Sequence, residues 1–258
     1  MNSVFVNEAE VQKRQREEVE QRVILALDST DRMEIAALAK QFGPRIGGIN
    51  ISSSVMAAEL GSFCRKMFAE SAQGRPLIYM ADANIVETPK SAARTARVLA
   101  EQGYQFITLY AECGVEAMRL AQAAVVSVNP SATLLVSIVL TSMCAEDLAR
   151  VGTRVEHIRD LVYARARAAE SAGVGGAVCS GRDIELLKKH LPKFLLIVPG
   201  IRLYAPAEDQ KRYVLPAEAM RLGADYLDIG SEITEAADPE YAFTRVVEEM
   251  RRGRFPGT

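Results

Sequence analysis

The chain has four cysteines, Cys64, Cys113, Cys144 and Cys179, and no CxxC pair among them. That excludes a disulfide framework and the spacing of a zinc site, and it reads as reduced, packed thiols in a cytoplasmic protein. Histidine is scarcer still, with His157 and His190 both in stretches of helical pattern and neither near a cysteine in sequence. A cysteine nucleophile with a histidine base therefore has no support. No apolar run approaches the roughly 20 residues that cross a bilayer, and no stretch reads as a secretory leader, so no membrane span or anchor is expected. An excess of one charge is also missing: Lys+Arg 31 against Asp+Glu 33 gives 31 − 33 = −2. With a pI near 5.9 there is no basic footprint for nucleic acid or anionic membrane. Any anion that this chain holds must be held locally.

What is present is an ordinary globular composition: 258 residues, 49% hydrophobic and 25% charged, enough for a sizeable core. After a Glu-, Gln-, Lys- and Arg-rich stretch at Asn7–Arg22, read as a solvated helical arm, short apolar runs alternate with longer amphipathic ones. The strand candidates are Val23–Leu27, Ile46–Ile51, Leu77–Met80, Phe106–Leu109, Thr133–Leu140, Gly176–Cys179, Phe194–Val198 and Tyr226–Ile229. Most lack clean alternation, as parallel strands covered on both faces do. Helical patterns fill Glu34–Lys40, Val55–Ala72, Ser91–Glu101, Glu116–Ala124, Val155–Ala172, Asp183–His190 and Pro216–Leu222. Eight strand–helix units in this length are the arithmetic of a (β/α)8 TIM barrel. A doubly wound sheet is the alternative, but the first strand runs into Asp28-Ser29-Thr30, where a Gly-rich dinucleotide turn would be expected. The expected organisation is a helical arm over 1–20, one α/β barrel over 21–252 and a tail over 253–258.

Barrel chemistry sits at the C-terminal ends of the strands, so the polar residues closing each apolar run are the candidates. These are Asp28; Asn50; Asp82, Asn84 and Glu87; Tyr110 and Glu112; Thr141 and Ser142; Ser180; Gly200 and Arg202; and Gly230 and Ser231. Pro199-Gly200-Ile201-Arg202 and Ile229-Gly230-Ser231 follow the last two strands, where barrels bind phosphate through backbone N–H groups, and Arg202 could add a bidentate clamp. The same glycines equally suit ordinary turns. Asp82-x-Asn84-x-x-Glu87 places two carboxylates on one rim segment, expected close enough to couple and so to split into an acid and a base. Asp28 ends an all-apolar strand and needs a partner or a ligand hydroxyl. No cofactor is expected; the alternative is Mg²⁺ on Asp82, Glu87 or Glu112.

Several strings in order resemble the orotidine 5′-phosphate decarboxylase superfamily, most of all its bacterial pyrimidine-biosynthesis branch. They are Leu25-Ala26-Leu27-Asp28, Val139-Leu140-Thr141-Ser142-Met143, Gly176-Ala177-Val178-Cys179-Ser180, Pro199-Gly200-Ile201-Arg202, Asp209-Gln210-Lys211-Arg212 and Gly223-Ala224-Asp225-Tyr226. The resemblance implies a homodimeric barrel binding a pyrimidine nucleoside monophosphate. It places Asp28 on the ribose, Thr141 and Ser142 on the base, and Arg202 and Gln210 on the phosphate. It further implies a Lys–Asp–Lys–Asp array, with one lysine on strand two, an Asp-x-Lys-x-x-Asp motif on strand three and the last aspartate serving the partner subunit.

The departures from that pattern matter more than the matches. The strand-two lysine position reads Asn50, and strand three reads Asp82-Ala83-Asn84-Ile85-Val86-Glu87. The strand-four histidine is Tyr110 and the strand-eight phosphate arginine is Ser231. With both ammonium groups gone, the proton donor and the cation for a developing carbanion are lost. The expectation is a nucleotide- or sugar-phosphate-binding barrel repurposed as a lyase, isomerase or hydrolase, using Asp82 and Glu87 with Tyr110 or Glu112 assisting. The alternatives are a weak decarboxylase with Glu87 as proton donor, or a non-catalytic nucleotide-binding protein.

Overall fold

The computed structural model describes residues 8–204 and 212–256. Eight parallel strands close into a barrel in sequence order: β1 (Val23–Leu27), β2 (Gly48–Ser52), β3 (Ile78–Ile85), β4 (Phe106–Tyr110), β5 (Thr133–Ser137), β6 (Gly176–Val178), β7 (Leu195–Val198) and β8 (Tyr226–Ile229). Every neighbouring pair is parallel, and β8 returns to β1 through Ile24↔Asp228. Helices lie between the strands, as right-handed crossovers require. The TIM-barrel reading of the sequence therefore holds.

Two cores follow from the period-2 geometry of a strand. Outward-facing residues such as Leu25, Ile49, Ile107, Val136 and Leu227 meet the helices in one large cluster. Inward-facing Ile24, Met80, Phe106, Leu135 and Ile197, with Ile78, Val178, Leu195 and Tyr226 packed against them, plug the barrel itself. Phe106 and Tyr226 meet edge-on with centroids 5.8 Å apart, worth about 0.5–1.5 kcal/mol beyond their burial. One further step along the strands, the inward positions turn polar: Asn50, Asp82, Thr108, Ser137 and Asp228. The apolar plug thus forms the floor on which the polar layer rests.

Some elements depart from the sequence reading. The expected helix over Val55–Ala72 is two helices, Ser53–Ala57 and Gly61–Ser71. The break is at Glu59, whose φ of 59° is a left-handed conformation, and Gly61 opens the second helix. Helices over Ala145–Arg150 and Pro239–Arg254 were not anticipated. The expected fifth strand ends at Ser137 instead of Leu140. The N-terminal helix Glu8–Glu20 is not simply a solvated arm, because Val19 and Glu20 at its end are buried. Glu20 accepts from Arg45 at 2.9 Å, and Arg45 lies over the Phe243 ring at 4.4 Å, tying this helix to Pro239–Arg254.

Candidate active site

A cavity of about 180 Å³ opens above the apolar plug, lined among others by Asp82, Asn84, Ser137, Thr141, Pro199 and Asp228. It stands at the C-terminal ends of the strands, where barrel chemistry belongs. No lysine or arginine lines it among the described residues.

Its best-ordered part is built by an irregularity in β3. Between Ala81↔Ile107 and Ile85↔Leu109 the strand advances four residues against two on β4. Asn84 sits in this bulge with φ 45°, a conformation that asparagine tolerates better than other side chains. Its backbone N–H donates to Thr108 Oγ1 (2.9 Å), its Nδ2 donates to Asp82 Oδ1 (2.8 Å), and its Oδ1 accepts from Ser137 Oγ (3.0 Å). The amide is thereby committed to fixing Asp82. Thr108 Oγ1 also lies 3.2 Å from Asp82 Oδ1. Burial raises the Asp82 carboxyl above its usual range, the Thr108 and Asn84 hydrogen bonds oppose that rise, and the charge of Asp28 adds to it.

Across the barrel, Asn50 Nδ2 donates to Asp228 Oδ2 at 3.0 Å. Asn50 Oδ1 and Asp228 Oδ1 are both sealed from solvent and have no hydrogen-bond partner. Burial pushes the Asp228 carboxyl up to about 8, the negative charges of Asp82 and Asp28 add to this, and the Asn50 amide opposes it. A proton on Asp228 also resolves the conflict of two adjacent orphaned acceptors, since it turns one of them into a donor. At neutral pH Asp228 is therefore predominantly the uncharged acid.

The expected site residues divide in their placement. Asp82, Asn84, Thr141 and Pro199 line the cavity, and Asn50 reaches it through Asp228. Tyr110 closes β4 with its phenol raised by burial and by the charges of Asp82 and Glu112, so it stays a neutral hydroxyl near Asp82. Asp28 is exposed at the end of β1. A Cβ on Gly230 would lie 3.6 Å from Asp28 Oδ2, which brings β1 and the Gly230–Ser231 turn together. Gly200 has φ 73°, as its turn requires. Arg202 Nη2 is 3.4 Å from Ser231 Oγ, but its Nε also faces Glu232 at 3.7 Å. Ser142 is exposed and does not line the cavity. Gln210 lies outside the described residues.

Two expectations are corrected. Glu87 is exposed, accepts from Thr95 Oγ1 at 3.0 Å and lies outside the cavity lining. The carboxylates that act on one another are Asp28, Asp82 and Asp228, so Asp82 and Glu87 are not the coupled pair. Glu112 pairs with Arg165 at 2.6 Å, and Arg165 also donates to Ile138 O, so Glu112 braces the end of β5. Asp82, Glu87 and Glu112 consequently do not converge as Mg²⁺ ligands, and no cluster of three potential metal-binding side chains occurs among the described residues.

Asp228, Thr108 and Ser137 escaped the sequence reading because attention fell on residues closing each apolar run. The signal was alternation: in Tyr226-Leu227-Asp228-Ile229 the charge shares the inward face with Tyr226.

The sequence family described as "Orotidine 5'-phosphate decarboxylase / HUMPS family" matches residues 21–246. The chain belongs to this family. It is 32% identical over 230 residues to the orotidine 5′-phosphate decarboxylase of Pseudomonas paraeruginosa, covering 88% of this chain and 97% of that one. The orotidine 5′-phosphate decarboxylase of Pseudomonas putida is 31% identical over 231 residues, covering 89% and 97%. Among solved structures, orotidine 5′-phosphate decarboxylase from Lactobacillus acidophilus superposes with a TM-score of 0.72 at 22% identity, over 88% of this chain and 98% of that one. An uncharacterized conserved protein from Geobacillus kaustophilus gives the same TM-score, 0.72, at 21% identity. The orotidine 5′-phosphate decarboxylase fold thus extends over nearly the whole barrel. No helix among the described residues is long and apolar enough to cross a membrane.

Proposed function

We propose that this family member binds a phosphorylated pyrimidine or ribosyl nucleotide at the barrel mouth and performs proton transfer on it, as a repurposed lyase, isomerase or hydrolase. The observation that carries this reading is a cavity bearing Asp82 and Asp228, under the charge of Asp28, with amides at positions 50 and 84 and no cationic lining residue among the described residues. Decarboxylation leaves electrons on carbon, and a positioned cation or acid must meet them. An orotate carboxylate here would instead meet the Asp82 and Asp228 carboxyl groups with no ammonium in the lining among the described residues to offset the repulsion.

The acid–base assignment follows from the environments. Asp82, whose carboxylate form is favoured by the hydrogen bonds from Asn84 and Thr108, serves as the base. Asp228, predominantly neutral, serves as the acid in the place that Glu87 was expected to fill. Asp28 takes ribose hydroxyls, Thr141 takes the base, and Arg202 with the Gly230–Ser231 backbone takes the phosphate. Glu87, exposed on the outer end of β3, is available to the mouth of a second copy in a cytoplasmic homodimer.

Calorimetric titration with uridine monophosphate, ribose 5-phosphate and uridine tests the reading. Binding of either phosphorylated ligand, weakened by Arg202→Ala, and weaker binding of uridine are expected. No measurable binding of either phosphorylated ligand would overturn it.

A further inference from the structure

A second cavity, of about 280 Å³, lies beside the mouth and shares no lining residue with the first. Its lining includes Met143, Cys144, the exposed Arg159 and Arg182, and the buried Asp183 and Arg212. Three guanidinium groups and one carboxylate leave 3 − 1 = +2 in its lining. In a chain whose total charge is −2 this is a local concentration of cation.

The buried member makes the case. Arg212 is 5% exposed and its Nη2 donates to Asp183 at 2.5 Å. Its Nη1 is buried and has no hydrogen-bond partner. A guanidinium N–H left without an acceptor in the interior is costly, and a single carboxylate cannot satisfy both ends of the fork together with its other partners. Asp183 is already engaged: burial raises its carboxyl, while Arg212, the Ser180 backbone and the charge of Arg159 draw it down. Arg159 and Arg182 are exposed, and their side chains make no hydrogen bond or ion pair among the described residues. Cys144, which also lines the cavity, donates from its thiol to Glu146 and Asp147 and from its backbone N–H to Asp147, so both acids are engaged by that residue.

We infer that this cavity is an anion site for a phosphoryl group, separate from the barrel mouth, with Arg159 and Arg182 as the recruiting cations and Arg212 as the buried one. Planar guanidinium groups match phosphate oxygens two at a time, and a doubly charged phosphoryl group offsets the net positive charge of the lining more fully than a monovalent anion does. The site does not depend on the reading of the mouth. Occupancy bears on it, however, because Met143 follows Thr141 by two residues and Asp183 follows Cys179 by four, and Thr141 and Cys179 line the mouth. Of the proposed cations, Arg182 lies on the 179–183 segment, so a phosphoryl anion here contacts a segment that also lines the mouth.

The test uses the full chain carrying Arg202→Ala, which disables the proposed phosphate clamp of the mouth, and titrates it with inorganic phosphate and pyrophosphate by calorimetry. One saturable site is expected to remain, to be tighter for pyrophosphate, and to weaken about tenfold or more when Arg159→Ala and Arg182→Ala are added. These two residues are exposed, so the buried Arg212–Asp183 pair and the fold stay intact, checked by an unchanged thermal transition. Loss of all saturable phosphate binding on Arg202→Ala alone, or binding that the added substitutions leave unchanged, would overturn the inference.

Discussion

Asn50 Nδ2 stands 3.0 Å from Asp228 Oδ2, joining β2 to β8 across the interior of the barrel. Position 50 is where the family resemblance calls for a lysine, so an ammonium has given way to an amide, and the amide faces a carboxylic acid. The pair keeps the centre hydrogen-bonded without a positive charge. It also makes the proton on Asp228 a structural component, and that has a thermodynamic consequence.

Asp228 titrates in the folded chain at about 8 and in the unfolded chain near 4. Between those values the folded state holds a proton that the unfolded state has released, so stability declines as pH rises from about 4 to 8. The expected loss is on the order of 3–5 kcal/mol over that window. Chemical denaturation of wild type and Asp228→Asn at pH 5 and pH 8 measures it. The variant should lose most of the pH dependence and be the more stable of the two at pH 8. An identical slope in both chains would remove the assignment.

Asn84 is expected to control Asp82. Asn84→Ala deletes the 2.8 Å bond to Asp82 and leaves Ser137 Oγ without its acceptor, at a cost of about 1–3 kcal/mol. Because that hydrogen bond favours the ionised carboxylate, the Asp82 pKa should rise further, seen as an upfield-to-downfield titration of its ¹³C carboxyl signal at higher pH than in wild type. No change in the Asp82 midpoint would place the amide outside this role.

Arg202 is partly neutralised by its own neighbour. Glu232 lies 3.7 Å from Arg202 Nε, and its Oε1 accepts from the Leu203 backbone N–H at 3.0 Å. Glu232→Gln keeps the backbone bond and removes the competing charge. Affinity for a phosphorylated ligand at the mouth should increase about two- to fivefold. A decrease would mean that Glu232 orients the guanidinium more than it competes for it.

The N-terminal helix is expected to contribute to global stability. Glu20 accepts from Arg45 through Nε and Nη2 and from Arg16. Glu20→Ala strands a half-buried guanidinium whose remaining partner is Glu240, costing about 1–3 kcal/mol. Urea denaturation reads this as a lower midpoint with an unchanged slope.

The barrel was legible because its two periodicities are strong. Val23–Leu27 and Tyr226–Ile229 were placed to the residue, and Pro216–Leu222 likewise. What stayed hidden depended on tertiary context. Glu59 takes a left-handed conformation that its own residue type does not announce, and the bulge at Asn84 is visible only against β4. Glu87 and Glu112 were misjudged because sequence spacing says that two carboxylates are near, but not which way each one turns. Thr95 takes one and Arg165 the other. Asp228 was overlooked even though its inward position follows from alternation, since a charge inside a strand makes sense only once Asn50 is seen opposite.

The central claim is that a cavity with no lysine or arginine in its lining among the described residues does not sustain the decarboxylation for which its Pseudomonas relatives are named. The direct measurement is turnover of orotidine 5′-monophosphate by this chain and by the Pseudomonas paraeruginosa relative, side by side. With the electrostatic contribution of a cation missing from the cavity, a rate at least about 10²-fold lower is predicted. A rate within about tenfold of the relative's would contradict the account.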